Sequence, residues 1–302
     1  MRKLGRTLLG LSIPLLSGLC AFFIVVIVLI VMGETIIGGW STLTWEFLST
    51  GPKEGMTEGG IYPAIFGTFL LVVIMSIAGV PIGTITAIYL SEYASQKSVL
   101  ARMIRFAVNT LAGVPAIVFG LFGLGFFIQF VGTGIDTILS GGAELKWGQP
   151  NILWASLTMA LLTLPVVIVS VEEALKAVPR ELREASLALG ATKWETIRKV
   201  VLPNAITGIL TGGILAVSRG AGEVAPILFT GAAYFLPHLP KALSDQFMEL
   251  GYHIYIMSTQ SPDVEATRGI QYATTLVLLV LTFALNFSAM FLRYKIRTRT
   301  AR

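Results

Sequence analysis

The stretch EEALKAVPRELREASLALGATKWETIRKVVLP, residues 172–203, is the most informative part of the chain. Pro179 is excluded from a helix interior but suits a first turn, and Gly190 suits the position just past a helix end. The two bracket a short helix from Arg180 to Leu189. Thr192, followed three residues later by Glu195, makes a capping box. It starts a second helix carrying Trp194, Ile197, Val200 and Val201, which Pro203 is expected to stop. Along the first helix Leu182, Ala185, Ser186 and Leu189 fall at i, i+3, i+4 and i+7, giving one small, mostly apolar face opposite a charged one. Such a face either packs on the chain's own bundle or docks in a groove of another subunit.

Outward from this stretch the chain turns apolar. Of its 302 residues, 54% are hydrophobic and 13% are charged, about half the charged fraction of a globular domain. Mean hydropathy is +0.78, more than one core can absorb, so the solvent must be largely lipid. Runs of about 20 apolar residues cross roughly 30 Å of hydrocarbon. Six are present: Leu8 to Met32, Tyr62 to Leu90, Ala107 to Val131, Asn151 to Val171, Ala205 to Thr230 and Gln271 to Leu292. An all-α polytopic membrane protein with six transmembrane helices is expected. The first run has the basic start of a signal peptide, but it is too long for an h-region and no small-x-small site follows, so it is read as a retained helix. Cys20 is the single cysteine, which excludes a disulfide framework; with only His238 and His253 besides, little is left for zinc or haem.

Lysine and arginine orient the spans. With the N-terminus in the cytoplasm, seventeen of them fall inside and four outside (Lys53, Lys146, Lys241, Arg268). Ten carboxylates fall outside, among them Glu34, Glu54, Asp136, Asp245, Glu249 and Glu265. Both termini are therefore expected in the cytoplasm. The net charge of +5 is a topology signal and not a nucleic-acid footprint; the basic tail is placed to touch anionic lipid. The outside stretch Gly231 to Ile270 is too polar to cross, and its part from Leu239 to Met257 reads as a surface helix.

Arg219 and Glu223 lie four apart in the fifth run, on one helix face. Each costs about 2.5 to 3.5 kcal/mol at a bilayer centre, so both should face a cavity or a partner. They form either a self-neutralising packing pair or an anion site, with the guanidinium fork matched to an oxyanion and the carboxylate setting its position. Gly208, Gly212, Ala216 and Gly220 make a small-residue stripe that admits a close helix. Gly220 to Ala225 matches GxGxxA, but no strand precedes it and it lies in a span. Pro226 removes a helix hydrogen bond just beyond Glu223, and interrupted helices at mid-membrane border transport sites. Pro81, Pro115 and Pro165 read as kinks.

Glu184-Ala185-Ser186, Gly190, nine residues and then Val200 to Pro203 resemble the EAA loop of ABC-importer permeases, departing conservatively at Ser186 and Val200. Ser218 to Pro226 resembles the corresponding segment of the PstA family of phosphate permease subunits, which has Thr at Val224. The likeness covers about residues 60 to 292. It implies the type I ABC importer permease fold, divided as an N-terminal helix and external loop (1–60), a permease core (61–293) with coupling loop 172–203, and a basic cytoplasmic tail (294–302). It further implies a multi-pass protein of a prokaryotic inner membrane that pairs with a PstC-like sister permease, two PstB-like ATPase subunits and an external PstS-like phosphate-binding protein. Arg219 and Glu223 would line the substrate pathway; Glu184, Ala185, Ser186, Gly190, Leu202 and Pro203 would couple to the ATPase. No Gly-Lys pair occurs in the chain, so no phosphate loop is present, and ATP and Mg are expected on the partner with no cofactor on this chain. An intramembrane protease would need paired Asp, Ser with His, or HExxH, whereas Asp136, Asp245 and Asp263 all read as outside residues. Permeases for molybdate, sulfate or phosphonate share the coupling loop and are the alternative. A stand-alone channel or secondary transporter would use Arg219 and Glu223 but would not need that loop.

Overall fold

The computed structural model describes residues 2–53, 58–95, 97–261 and 263–300; Glu54 of the acidic set and Arg302 of the basic tail lie outside the described residues. α1 (Arg2–Gly39) is one long apolar helix. After it α2 (Trp45–Ser49), capped by Thr44, and the short antiparallel pair β1 (Pro52–Lys53) and β2 (Glu58–Gly59) return the chain to α3 (Tyr62–Ile88). A π-helical turn, Tyr89–Tyr93, extends α3. α4 (Val99–Ala112) is followed by α5 (Ala116–Phe122), which runs through a π-helical segment, Gly123–Gly132, into α6 (Thr133–Ser140). α7 (Ile152–Lys176) starts at Asn151, whose Oδ1 accepts the Trp154 N–H at 2.9 Å. Then come α8 (Arg180–Ala188), α9 (Lys193–Thr196), a π turn (Ile197–Val201), α10 (Leu202–Gly220), α11 (Leu250–Thr259) and α12 (Arg268–Thr300).

Six helical stretches are long and apolar enough to cross a membrane. α7 is the hub: 67% of its most apolar stretch is buried, against none of that of α1 or α12. It packs between α3 and α10, while α1 touches the bundle chiefly through α12. Lipid supplies no hydrophobic drive between helices, so close packing must hold them. The stripe on α10 does this: Gly208 abuts Ala174 of α7, and a side chain on Gly212 would meet Ser170 Cβ at 3.1 Å. Apolar layers fill both halves, with Leu90, Val167, Val171, Leu175 and Val201 at one end and Leu71, Met75, Ile152, Met159 and Phe247 toward the other.

Five features differ from the sequence reading. The third span starts at Ala116 and not at Ala107, because Pro115 breaks the chain and residues 107–112 belong to the separate helix α4. Asp136 lies in α6, within the helical stretch of that span, and not in a loop. Pro203 does not stop its helix: the π turn just before it lets the Leu202 N–H reach Ile197 O, five residues back, so α9 runs into α10 without a break. The fifth span ends at Gly220 and not at Thr230. Of the expected surface helix, 239–257, only residues 250–257 are helical, within α11. The chain before it is drawn into the bundle end, with Asn151 N–H on Thr230 O at 3.0 Å and Ile152 N–H on Asp245 O at 2.9 Å. Ile227 and Phe247 there are fully buried.

Candidate functional site

At the bundle end formed by the last turns of α3 and α7, Pro179 turns the chain with extended ψ (φ −56°, ψ 140°) and α8 begins. Gly190 has φ +86°, a left-handed conformation that L side chains adopt at a cost. The capping box forms as read: Thr192 Oγ1 accepts the Glu195 N–H at 3.2 Å, and Glu195 Oε2 accepts the Thr192 N–H at 3.0 Å. Glu184 and Ala185 are exposed, and Leu182 and Leu189 are 41% and 90% exposed. The small face of α8 is thus not packed on the chain's own bundle. Ser186 Oγ sits 2.9 Å from Thr196 Oγ1 and ties α8 to α9. Leu202 packs against the core near Val201, and Pro203 is half-buried in the first turn of α10.

The sequence reading missed what holds α8 in place. Arg183 Nη2 donates to Glu92 Oε1 and to Leu175 O, both at 2.8 Å, and Nη1 donates to Val178 O at 2.6 Å. Glu92 lies in the π turn of α3, so the start of α8 is locked to two spanning helices. Beside it Glu172 of α7 receives Arg105 of α4 and, at 2.8 Å, Lys176. The Arg183–Glu92 and Arg105–Glu172 pairs join residues 91 and 67 positions apart and so have no local signature.

Arg219 is in the last turn of α10, where the helix dipole favours a cation. The neighbouring Gly220 packs on Met75, near the midpoint of the span Tyr62–Tyr93. Arg219 Nε lies 3.7 Å from Glu223 Oε1. The two residues were expected on one helix face, but Gly220 ends the helix, and Glu223 approaches from the turn beyond it. Among the described residues neither terminal guanidinium nitrogen of Arg219 makes a hydrogen bond. The side chains are 39% and 30% exposed, leaving a held but open cation at a helix break. Ser218 Oγ donates to Asn286 Oδ1 of α12 at 2.6 Å.

A second missed group adjoins this turn. A side chain at Gly251 would meet Val224 Cγ2 at 2.7 Å, so the start of α11 rests on the segment carrying Glu223. Glu249 caps α11, accepting the Gly251 and Tyr252 N–H groups at 2.9 and 2.6 Å, and burial pushes its carboxyl up to about 7. His253, one turn on, is 2% exposed with Nδ1 unpartnered among the described residues, and burial lowers it to about 4. Among the described residues no three His, Cys, Asp or Glu side chains come together as a metal site.

Residues 79–302 match the family described as binding-protein-dependent transport system inner membrane component. A probable ABC transporter permease protein of Bacillus subtilis (strain 168), YqgI, is 34% identical over 89% of this chain and 90% of its own. The phosphate transport system permease protein PstA 1 of Mycobacterium tuberculosis (strain CDC 1551 / Oshkosh) is 38% identical over 63% of this chain, which spans only 58% of that relative's length. Among solved structures, a bacterial alginate ABC transporter in complex with an alginate pentasaccharide-bound periplasmic protein aligns over 90% of this chain and 92% of its own, with a TM-score of 0.60 at 14% identity.

Proposed function

The chain belongs to the binding-protein-dependent transport system inner membrane components and has the type I ABC importer permease fold, and we propose that, with a sister permease, it forms the translocation pathway of an ATP-driven importer of inorganic phosphate. The observation that carries this reading is Arg219, a guanidinium at a mid-bundle helix break, positioned by Glu223 yet with its fork open. Such a group replaces part of an oxyanion's hydration with charge-assisted hydrogen bonds. Similarity to PstA proteins narrows the oxyanion to phosphate.

In this mechanism an external phosphate-binding protein loads an outward-facing state. The exposed face of α8, bearing Ala185 and Ser186, docks in the cleft of an ATPase dimer that carries ATP and Mg, on the cytoplasmic side with both termini. Residues 1–60 add an N-terminal helix and external loop to the core of 61–293, and 294–302 form the basic tail. From Lys193 to Gly220 the helix is continuous, about 40 Å at 1.5 Å per residue, so displacement at the Gly190 turn moves Arg219. Arg183 carries the same displacement into α3 through Glu92.

The test is reconstitution of the chain with its partner subunits in proteoliposomes and measurement of ATP-dependent uptake of radiolabelled phosphate against sulfate and molybdate. Uptake of another oxyanion in place of phosphate, or phosphate uptake that needs no ATPase, would refute the reading.

A further inference from the structure

Beside α8, on the side away from its small face, the ends of α3, α4 and α7 border an open cavity of about 770 Å³. Five cations line it: Arg102 and Arg105 of α4, Lys176 of α7, Arg180 and Arg183 of α8. Glu92 and Glu184 also line it, and Glu172 stands behind Arg105 and Lys176. Five cations against three carboxylates leave the wall positive. Three of the cations are committed, Arg105 and Lys176 to Glu172 and Arg183 to Glu92. The side chains of Arg102 and Arg180 have no hydrogen-bond or ion-pair partner among the described residues. They come from two helices onto one cavity.

The same cavity adjoins an interfacial surface. α4 buries Ala101 and Val108 against the bundle, yet Leu100, Met103 and Phe106 are 56%, 63% and 73% exposed. A helix that is apolar outward, basic on its flank and set between two spans lies where headgroups meet hydrocarbon. Basic pockets between spanning helices take the phosphate of anionic lipids, and Arg forks match that oxyanion. At 100° per residue, Arg180, Arg183 and Glu184 lie on the side of α8 opposite Ala185, Ser186 and Leu189. An occupant would leave the small face free.

We infer that this cavity binds a phosphate group through Arg102 and Arg180, supplied by an anionic phospholipid headgroup or by free phosphate, and that its occupant braces α8 against α3 and α4. The site is distinct from Arg219 and does not rest on which solute is transported. The full-length chain is embedded in nanodiscs of phosphatidylcholine containing phosphatidylglycerol and exchanged into detergent, and retained lipid is counted by native mass spectrometry. In a second arm, lipid-stripped protein is titrated with radiolabelled inorganic phosphate. Wild-type chain should retain phosphatidylglycerol but not phosphatidylcholine, or bind phosphate saturably. Arg102→Gln with Arg180→Gln should lower that binding at least tenfold. The arm that responds names the source. No anion held by the wild type in either arm, or equal binding by the variant, overturns the site. If the double variant fails to fold, Arg102→Gln alone, which leaves α8 untouched, carries the same two readouts.

Discussion

Arg219 stands at a helix C-terminus, whose dipole already favours its charge, so Glu223 at 3.7 Å orients the guanidinium more than it neutralises it. Removing the cation should therefore do more harm than removing the balance. Arg219→Gln should cut phosphate uptake at least tenfold in a complex that still assembles. Arg219→Lys keeps the charge without the fork and should recover part of it. The decisive variant is Arg219→Gln with Glu223→Gln, because a packing pair tolerates loss of both charges better than loss of one; wild-type transport by that double variant would make the pair a packing device. Glu249 offers a separate residue-scale test. Its folded value of about 7 lies above the unfolded 4.5, so the folded state binds more protons and stability falls as pH rises between the two values. His253 runs the other way, since its folded value of about 4 lies below 6.5 and stability rises with pH across that window. The difference between wild type and Glu249→Gln isolates the carboxyl: from pH 5 to 7.5 the wild type should lose ground to the variant, by roughly 2 kcal/mol over that range. A pH-independent difference in thermal stability would mean that the fold leaves the Glu249 carboxyl at its unfolded value.

Among the elements, those marked by local chemistry were legible. Pro179, Gly190 and the Thr192–Glu195 box bracket α8 and start α9 where the sequence placed them, because caps and breakers act within one turn. Pro203 misled for the complementary reason: a proline's missing donor and ring clash end a helix only if the i→i+4 ladder is kept, and the π turn Ile197–Val201 abandons it. Ala107 misled because an apolar run does not register that Gly113, Val114 and Pro115 divide two helices. The turn at Gly190 now separates strain from docking. A side chain there meets nothing within 4 Å, while φ +86° penalises most L residues by about 1 kcal/mol or more, and Asn less. Gly190→Asn should therefore fold with thermal stability close to wild type yet lose co-purification with the ATPase, because its bulk points out of the chain. Gly190→Asp should add a charge to the same obstruction. Normal recovery of ATPase with both variants would make the loop purely structural.

Across the whole molecule, span number and the small-residue stripe followed from composition and spacing, whereas the inward course of 221–249 did not. That segment is polar enough to read as a loop, and its burial depends on Asn151, Thr230 and Asp245 closing backbone bonds across the bundle. The Arg183–Glu92 lock likewise joins residues 91 positions apart. The two ends of the bundle are nonetheless distinct in the fold. Gly38 and Gly39 at the end of α1 pack on Tyr272 and Ala273 near the start of α12, so Ser41 belongs to the end where α3, α7 and α12 begin. Lys193 lies over the Tyr93 ring at 5.0 Å, at the end where α3 and α7 finish. From the basic asymmetry we propose that the second end faces the cytoplasm. Cys20 is exposed on α1 and must first be replaced. In a Cys20→Ser background, Ser41→Cys and Lys241→Cys, both at exposed positions, should react with an impermeant thiol reagent added outside intact cells, and Lys193→Cys should react only after the membrane is opened. Labelling of Lys193→Cys in intact cells would reverse the orientation, put α8 beyond the reach of a cytoplasmic ATPase, and remove the coupling role with it.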